Sequence, residues 1–292
     1  MTLVLLHGAY GAAADWDDVM AALRSSTSWT SLSALALRSL TVPGHDCGDA
    51  VPVDVDVNDG WQQALAILEA RLADLRGIHL AGYSLGARLA LALAQRPSLR
   101  DRVQSLTLVA GTAGLDDDAA RARRRAIDDE RATWLASDPD AFLEAFWRLP
   151  LFASLDSHPD KAVRLAERQA RARAHPAVLA WWMRCLSVGR QPSLWSSLST
   201  LSVPTTIIVG SHDDDYVAHG QRLRSLLPRA RLTVVHGAGH ALLLEAPDAI
   251  ADAIADAIAD AITDAITDAI TTVVADDSVD DREPAAAIRV TP

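Results

Sequence analysis

The apolar run Ile78-His79-Leu80-Ala81 leads directly into Gly82-Tyr83-Ser84-Leu85-Gly86, and a helical stretch opens on the far side. A run followed by glycine, serine and glycine at this spacing admits few local folds. A strand must turn into a helix within a residue or two, with Ser84 at the crest. The hydroxyl then stands above the sheet edge, and the first N–H groups of the new helix point at whatever oxygen gathers negative charge there. Taken alone, G-x-S-x-G is a common glycine-flanked turn, so its meaning depends on the rest of the chain.

Elsewhere, runs rich in Val, Ile and Leu alternate with amphipathic stretches, the order expected of βαβ units sharing a parallel sheet in an α/β protein. Strands are predicted over 2–6, 34–40, 77–81, 105–109, 205–209 and 231–235. Helical periodicity covers 15–24 and 59–75, with Asn58 or Asp59 as N-cap of the second. Residues 114–200 have another texture: Arg, Ala, Asp and Trp dominate, no strand pattern appears, and helical patterns run over 118–136, 139–148 and 159–188. Five of the eight tryptophans (Trp134, Trp147, Trp181, Trp182 and Trp195) fall here. An all-helical insertion between two strands reads as a lid over an enclosed organic ligand. Each tryptophan taken singly would serve as well to pack that insertion onto the body. The expected division is an α/β core over 1–113 and 201–262 with a helical lid over 114–200.

The C-terminal segment is a repeat, with Asp every four residues from Asp248 to Asp268 and Ile at the same period from Ile250 to Ile270. Four helical residues overshoot one turn by about 40°. The isoleucine stripe therefore winds around its helix, and only the first two or three repeats can dock on the body. The reading is a final helix lengthened by repetition, with its end and an acidic disordered tail, from about residue 276, occupying 263–292. The alternative is a helix that docks on a partner or on a second copy.

Of the formal charge of −11, about −9 lies in 248–292, where eleven acidic residues face only Arg282 and Arg289. The body is nearly neutral, so an arginine cluster within it is a local choice suited to an anionic ligand. This balance argues against nucleic acid or an anionic membrane as partner. No window reaches the roughly 18 uninterrupted apolar residues of a membrane span. Cys47 and Cys185 sit in no CxxC or Cys/His cluster, so reduced thiols and no metal site are expected. The opening Met1-Thr2-Leu3-Val4-Leu5-Leu6 lacks a basic leader and reads as a first strand rather than a signal peptide, so a cytoplasmic location is expected.

A serine hydroxyl is a weak nucleophile or base near neutral pH, so Ser84 needs a histidine to take its proton and a carboxylate to orient that histidine. In folds with such an elbow the chain order is Ser, acid, His. Asp213 lies three residues past Gly210 at the end of the strand over 205–209, and position favours it over its rivals Asp214 and Asp215. His240 follows Gly237-Ala238-Gly239 after the last strand, where small neighbours allow a close approach to Ser84. Two N–H groups are needed for an oxyanion hole: Leu85 supplies one, and the loop Leu6-His7-Gly8-Ala9-Tyr10-Gly11 the other, through Ala9 or alternatively Tyr10. His7 reads as a structural residue of that turn.

Together these features resemble the α/β-hydrolase superfamily, which implies a mostly parallel central sheet with an inserted helical lid, over residues 1 to about 262. Pro43-Gly44-His45-Asp46 is similar to that superfamily's P-G-H-G turn, with Asp46 replacing the second glycine. Within it, Gly82-Tyr83-Ser84-Leu85-Gly86-Ala87-Arg88 resembles the G-Y-S-M-G-G-R motif of the 2-succinyl-6-hydroxy-2,4-cyclohexadiene-1-carboxylate (SHCHC) synthases of menaquinone and phylloquinone biosynthesis. Gly114-Leu115 with Arg124 and Asp128, the segment Phe146 to Phe152 containing Trp147, and Gly189-Arg190-Gln191-Pro192-Ser193-Leu194-Trp195 look like further motifs of that family.

The resemblance implies a cofactor-free lyase that removes pyruvate from a small polycarboxylate, 2-succinyl-5-enolpyruvyl-6-hydroxy-3-cyclohexene-1-carboxylate. Ser84 would be the base, served by His240 and Asp213, and Arg88, Arg124, Trp147 and Tyr10 would bind substrate. Arg124 has a second reading, a solvated helix-face partner of Asp128 at i,i+4. Asp215 and Ser211 depart from the family's usual lysine and glutamate, which bears on substrate choice. The alternatives are a serine carboxylester or carbon–carbon bond hydrolase, and a non-catalytic hydrolase-fold interaction protein.

Overall fold

Period-two alternation sorts the strand side chains into two layers. In strand β1 (Thr2–Leu6), Leu3 and Leu5 join one apolar cluster and Val4 and Leu6 another, all four fully buried. A strand buried on both faces belongs inside a parallel sheet covered by helices on each side. In the computed structural model, which describes residues 1–26, 32, 34–46, 48–52 and 55–280, this is the arrangement.

The chain continues through α1 (Asp17–Ser25), β2 (Ala36–Leu40), α2 (Gly60–Arg71), β3 (Ile78–Tyr83), α3 (Leu85–Ala94), α4 (Pro97–Arg100) and β4 (Val103–Val109). An inserted segment follows, with α5 (Asp118–Ser137), α6 (Pro139–Phe146), α7 (Lys161–Ala174) and α8 (Pro176–Cys185). Then come β5 (Thr205–Gly210), α9 (Asp214–Leu226), β6 (Ala230–Val235), α10 (Leu242–Glu245) and α11 (Pro247–Asp280). The six strands form one parallel sheet in the order β2-β1-β3-β4-β5-β6. From β1 the chain passes first to one side and then to the other, so the strand order reverses between β1 and β3. Crevices at such points, beyond the strands' carboxyl ends, are where α/β sheets bind ligands.

On one face, Val4, Leu6, Leu80 and Ile207 pack with Trp61 and Leu68 of α2 and Leu89 of α3. On the other, Leu3, Leu5, Val109 and Ile208 meet Trp16, Val19 and Leu23 together with Ile250, Ile254 and Ile258 of α11. Each of those isoleucines gains roughly 1.5–3 kcal/mol from burial. Ile262 is half-buried and Ile266 is 55% exposed, so the stripe has turned off the body after three repeats. Beyond that point Asp260 and Asp264 bond to Arg231 and Arg229.

Several boundaries differ from the sequence expectation. The pattern over 159–188 is two helices, because Pro176 has no N–H to continue α7 and starts α8 instead. The pattern over 59–75 ends as helix at Arg71. Asp59 holds the N-cap position of α2, but its side chain makes no capping bond. The first helix opens as a tight 3-10 turn, Ala13–Trp16. Helix α11 continues to Asp280, past the residue 276 expected to begin the tail, and residues 281–292 and Cys47 lie outside the described residues.

Candidate active site

Ser84 sits on the turn between β3 and α3 with φ 52° and ψ −107°, a conformation that side chains rarely adopt. The flanking glycines make this turn possible. A Cβ at Gly82 would collide with the Gly86 carbonyl, and one at Gly86 with the Leu6 carbonyl of the neighbouring strand. Helix α3 therefore packs directly against β1, and its first N–H, at Leu85, lies outside the intrahelical ladder at the helix's positive end.

Asp213 stands three residues beyond the end of β5, where its N–H returns to the Gly210 carbonyl at 3.1 Å. His240 lies on the loop after β6. Its Nδ1 is 2.7 Å from Asp213 Oδ2 and its Nε2 is 3.1 Å from Ser84 Oγ. The Asp213 carboxylate and the imidazole are both buried. With Asp213 accepting at Nδ1, the tautomer leaves Nε2 free to take the serine proton. Around the imidazole stand three aromatic rings, with centroid distances of 4.5 Å for Tyr216 and 5.7 Å each for Tyr83 and Phe152. Asp214 and Asp215, the sequence rivals of Asp213, are exposed.

The loop after β1 supplies the second candidate donor. Tyr10 has φ 58° and gives its N–H to His45 Nε2 at 3.1 Å. Among the described residues, no protein acceptor takes the Ala9 N–H, and Ala9 lines the cavity beside Ser84 and Leu85. His7 Nε2 accepts the Val42 N–H at 2.9 Å. Burial lowers both His7 and His45 from their ordinary value to about 3. They are therefore neutral acceptors that tie the loop after β2 to the loop after β1.

Ser84 opens into a cavity of about 520 Å³ roofed by the inserted segment. Arg88, one turn along α3, lines it, donating from Nη1 to Gln191 Oε1 at 2.9 Å and from Nη2 to the Leu186 carbonyl at 3.0 Å. Its guanidinium lies 5.6 Å from the Trp61 ring centroid, and desolvation lowers it to about 10. Arg124 Nε bonds both oxygens of Asp128 at 2.9 Å, the i,i+4 pair expected of a helix face, and the side chain also lines the cavity.

Trp147 and Tyr10 form part of the apolar wall. Tyr10 meets Phe142 and Phe146 edge-on, and Trp147 stacks on Phe152. The sequence reading missed Arg168, which lies over Trp147 at 4.9 Å and bonds Asp15 at 2.6 Å, and Arg131, which reaches Asp128. Both line the cavity. Arg168 sits in Glu167-Arg168-Gln169-Ala170-Arg171-Ala172-Arg173, where basic residues surround the helix and periodicity singles out none.

Residues 3–253 match the alpha/beta hydrolase family. The 2-succinyl-6-hydroxy-2,4-cyclohexadiene-1-carboxylate synthase of Klebsiella pneumoniae (strain 342) is 31% identical over 250 residues, which are 85% of this chain and 90% of that one. The chain belongs to the SHCHC synthase family of alpha/beta hydrolases. A Bacillus subtilis (strain 168) relative is 33% identical over 174 residues, 59% of this chain, and the match spans 62% of that relative's length. The solved structure of MenH from S. aureus superposes with a TM-score of 0.78 at 25% identity, covering 89% of this chain and 94% of that one.

At Ser211 and Asp215 this SHCHC synthase family member departs from the family pattern. Ser211 Oγ accepts the Gly237 N–H at 2.9 Å, bracing the loop that carries His240. Asp215 stands exposed at the cavity rim, four residues before His219, whose basicity burial lowers.

Proposed function

We propose that the chain is a lyase of quinone biosynthesis that eliminates pyruvate from 2-succinyl-5-enolpyruvyl-6-hydroxy-3-cyclohexene-1-carboxylate to give SHCHC. One observation carries the reading. A hydrogen-bonded chain from half-buried Ser84 through buried His240 to buried Asp213 opens into a cavity whose lining cations include the arginines Arg88, Arg124, Arg131 and Arg168. Family membership supports the same reaction.

His240, oriented by Asp213, takes the Ser84 proton, and the serine oxygen removes the proton from the ring carbon bearing the succinyl group. The electron pair moves onto the succinyl ketone oxygen, and the N–H groups of Leu85 and Ala9 stabilise the enolate. Collapse of the enolate breaks the ring C–O bond. The enolpyruvyl group leaves, gains a proton and becomes pyruvate, while the ring double bond shifts and a second one forms to give the diene. No covalent serine adduct forms.

Arg88 and Arg124 hold substrate carboxylates, for which the planar guanidinium fork suits better than an ammonium group. Trp147 and Tyr10 hold the ring in the apolar part of the cavity. Residues 114–200 act as the lid, and the aromatic box around His240 keeps water from the enolate.

The test follows pyruvate release from the purified protein and the enolpyruvyl precursor, with a simple aryl ester in parallel. Pyruvate release with slow ester turnover is expected. Fast ester hydrolysis with a burst of product and no pyruvate would assign the site to an ester hydrolase.

A further inference from the structure

The two residues that flank His240 are both held by one side chain that the reaction scheme does not use. The ring nitrogens of His240 belong to Asp213 and Ser84, but the backbone on either side of it ends on a single carboxylate. Glu245 Oε2 accepts the Gly239 N–H at 2.7 Å, and Glu245 Oε1 accepts the Ala241 N–H at 2.9 Å. The two oxygens bracket His240, one amide before it and one after. The span from Ala241 to Glu245 is one helical turn, closed by the Glu245 N–H on the Ala241 carbonyl at 3.0 Å. That turn is α10, which presents the carboxylate back toward the loop from which the helix starts.

We propose that Glu245 is a positioning residue that fixes the imidazole of His240 between Asp213 and Ser84 by holding the N–H groups of both neighbouring residues. This rests on the reading of His240 as the base that serves Ser84. Bonds from amide N–H groups to a carboxylate are stronger than those to a neutral acceptor. A loop rich in glycine needs such restraint, since Gly237 and Gly239 give it little of its own. The other side of the loop is tied to the strand β5 end, where the His212 N–H meets the Ala238 carbonyl at 2.9 Å and Ser211 Oγ takes the Gly237 N–H. Neither of those contacts reaches the residues adjoining His240. Glu245 alone among the described side chains bonds both of them.

The shape of the carboxylate matters to the test. Glutamine at 245 keeps the volume but offers one acceptor, and its amide NH2 would face a second N–H donor. If Glu245 only fills space, Glu245→Gln behaves as wild type. If it clamps the loop, Glu245→Gln and Glu245→Ala both lose turnover, since small displacements of a catalytic group cost up to about 100-fold.

The experiment measures steady-state pyruvate release by the full chain and both variants, together with the far-downfield one-dimensional proton resonance of His240 Nδ1–H, which reports the bond to Asp213 independently of substrate. The expected result is a kcat lower by about 10- to 100-fold with KM within about twofold, and a broadened or lost downfield resonance, in protein whose circular dichroism is unchanged. A Glu245→Gln variant with wild-type kcat, or an unchanged downfield resonance in either variant, overturns the proposal. If the wild type releases no pyruvate, the lyase reading falls, and the resonance still decides the role of Glu245.

Discussion

Gln191 accepts a hydrogen bond from Arg88 at 2.9 Å across 103 residues of sequence, joining the helix that follows Ser84 to the last part of the inserted segment. Gln191 is fully buried and Arg88 lines the cavity. A residue of the inserted segment thus sets the direction in which Arg88 points. Replacing Gln191 with leucine removes that acceptor and leaves Arg88 the Leu186 carbonyl. The expected outcome in steady-state kinetics is a KM raised about tenfold, equivalent to about 1.4 kcal/mol, with a smaller effect on kcat. Arg88→Lys is expected to lose more, about 10- to 100-fold in kcat/KM, because an ammonium group cannot bond Gln191, the Leu186 carbonyl and a carboxylate in one plane.

The paired histidines make the contact between the loops after β1 and β2 sensitive to acid. His7 and His45 are neutral when folded, each lowered to about 3 by burial, whereas in the unfolded chain each protonates near 6.5. Between those values the unfolded state binds more protons than the folded one. Their contribution to stability is therefore fully present above about pH 6.5 and is lost as pH falls toward 3. Calorimetry from pH 7 to pH 4 is expected to show a falling Tm. His45→Gln, whose side-chain oxygen can still accept the Tyr10 N–H, is expected to flatten that fall.

The isoleucine stripe of α11 gives a graded prediction. Ile254 is fully buried and Ile266 is 55% exposed on the same helix. Ile254→Ala is expected to destabilise by about 2–5 kcal/mol through cavity formation, and Ile266→Ala by no more than about 0.5 kcal/mol. Chemical denaturation of both variants checks this. Equal effects would mean that the stripe docks along its whole length.

The elbow and the grouping of Ser84 with Asp213 and His240 were legible in the sequence, and the ion pairs between distant helices were not. The elbow could be read because Gly82 and Gly86 are demanded by contacts that any Cβ would break, so their spacing carries the geometry of Ser84. The winding stripe could be read because four residues per repeat do not match 3.6 per turn. The fused helix over 159–188 misled because periodicity continues across a proline that can begin a second helix. Arg168 and Asp15 lie 153 residues apart, and neither stretch marks the other. Glu245 was overlooked for the opposite reason: it is close to His240 in sequence, but its role lies in two backbone amides, which no residue pattern displays.

Ser84 as the base in pyruvate elimination is tested most directly by Ser84→Ala acting on the enolpyruvyl precursor, with substrate affinity measured alongside turnover. Ser84 Oγ lies 3.1 Å from His240 Nε2, and the variant removes that oxygen while leaving the arginines in place. The predicted result is a kcat lower by about 100-fold or more, the range lost with a general base, at nearly unchanged affinity. Turnover within about threefold of wild type would contradict the assignment and hand proton removal to another group of the cavity.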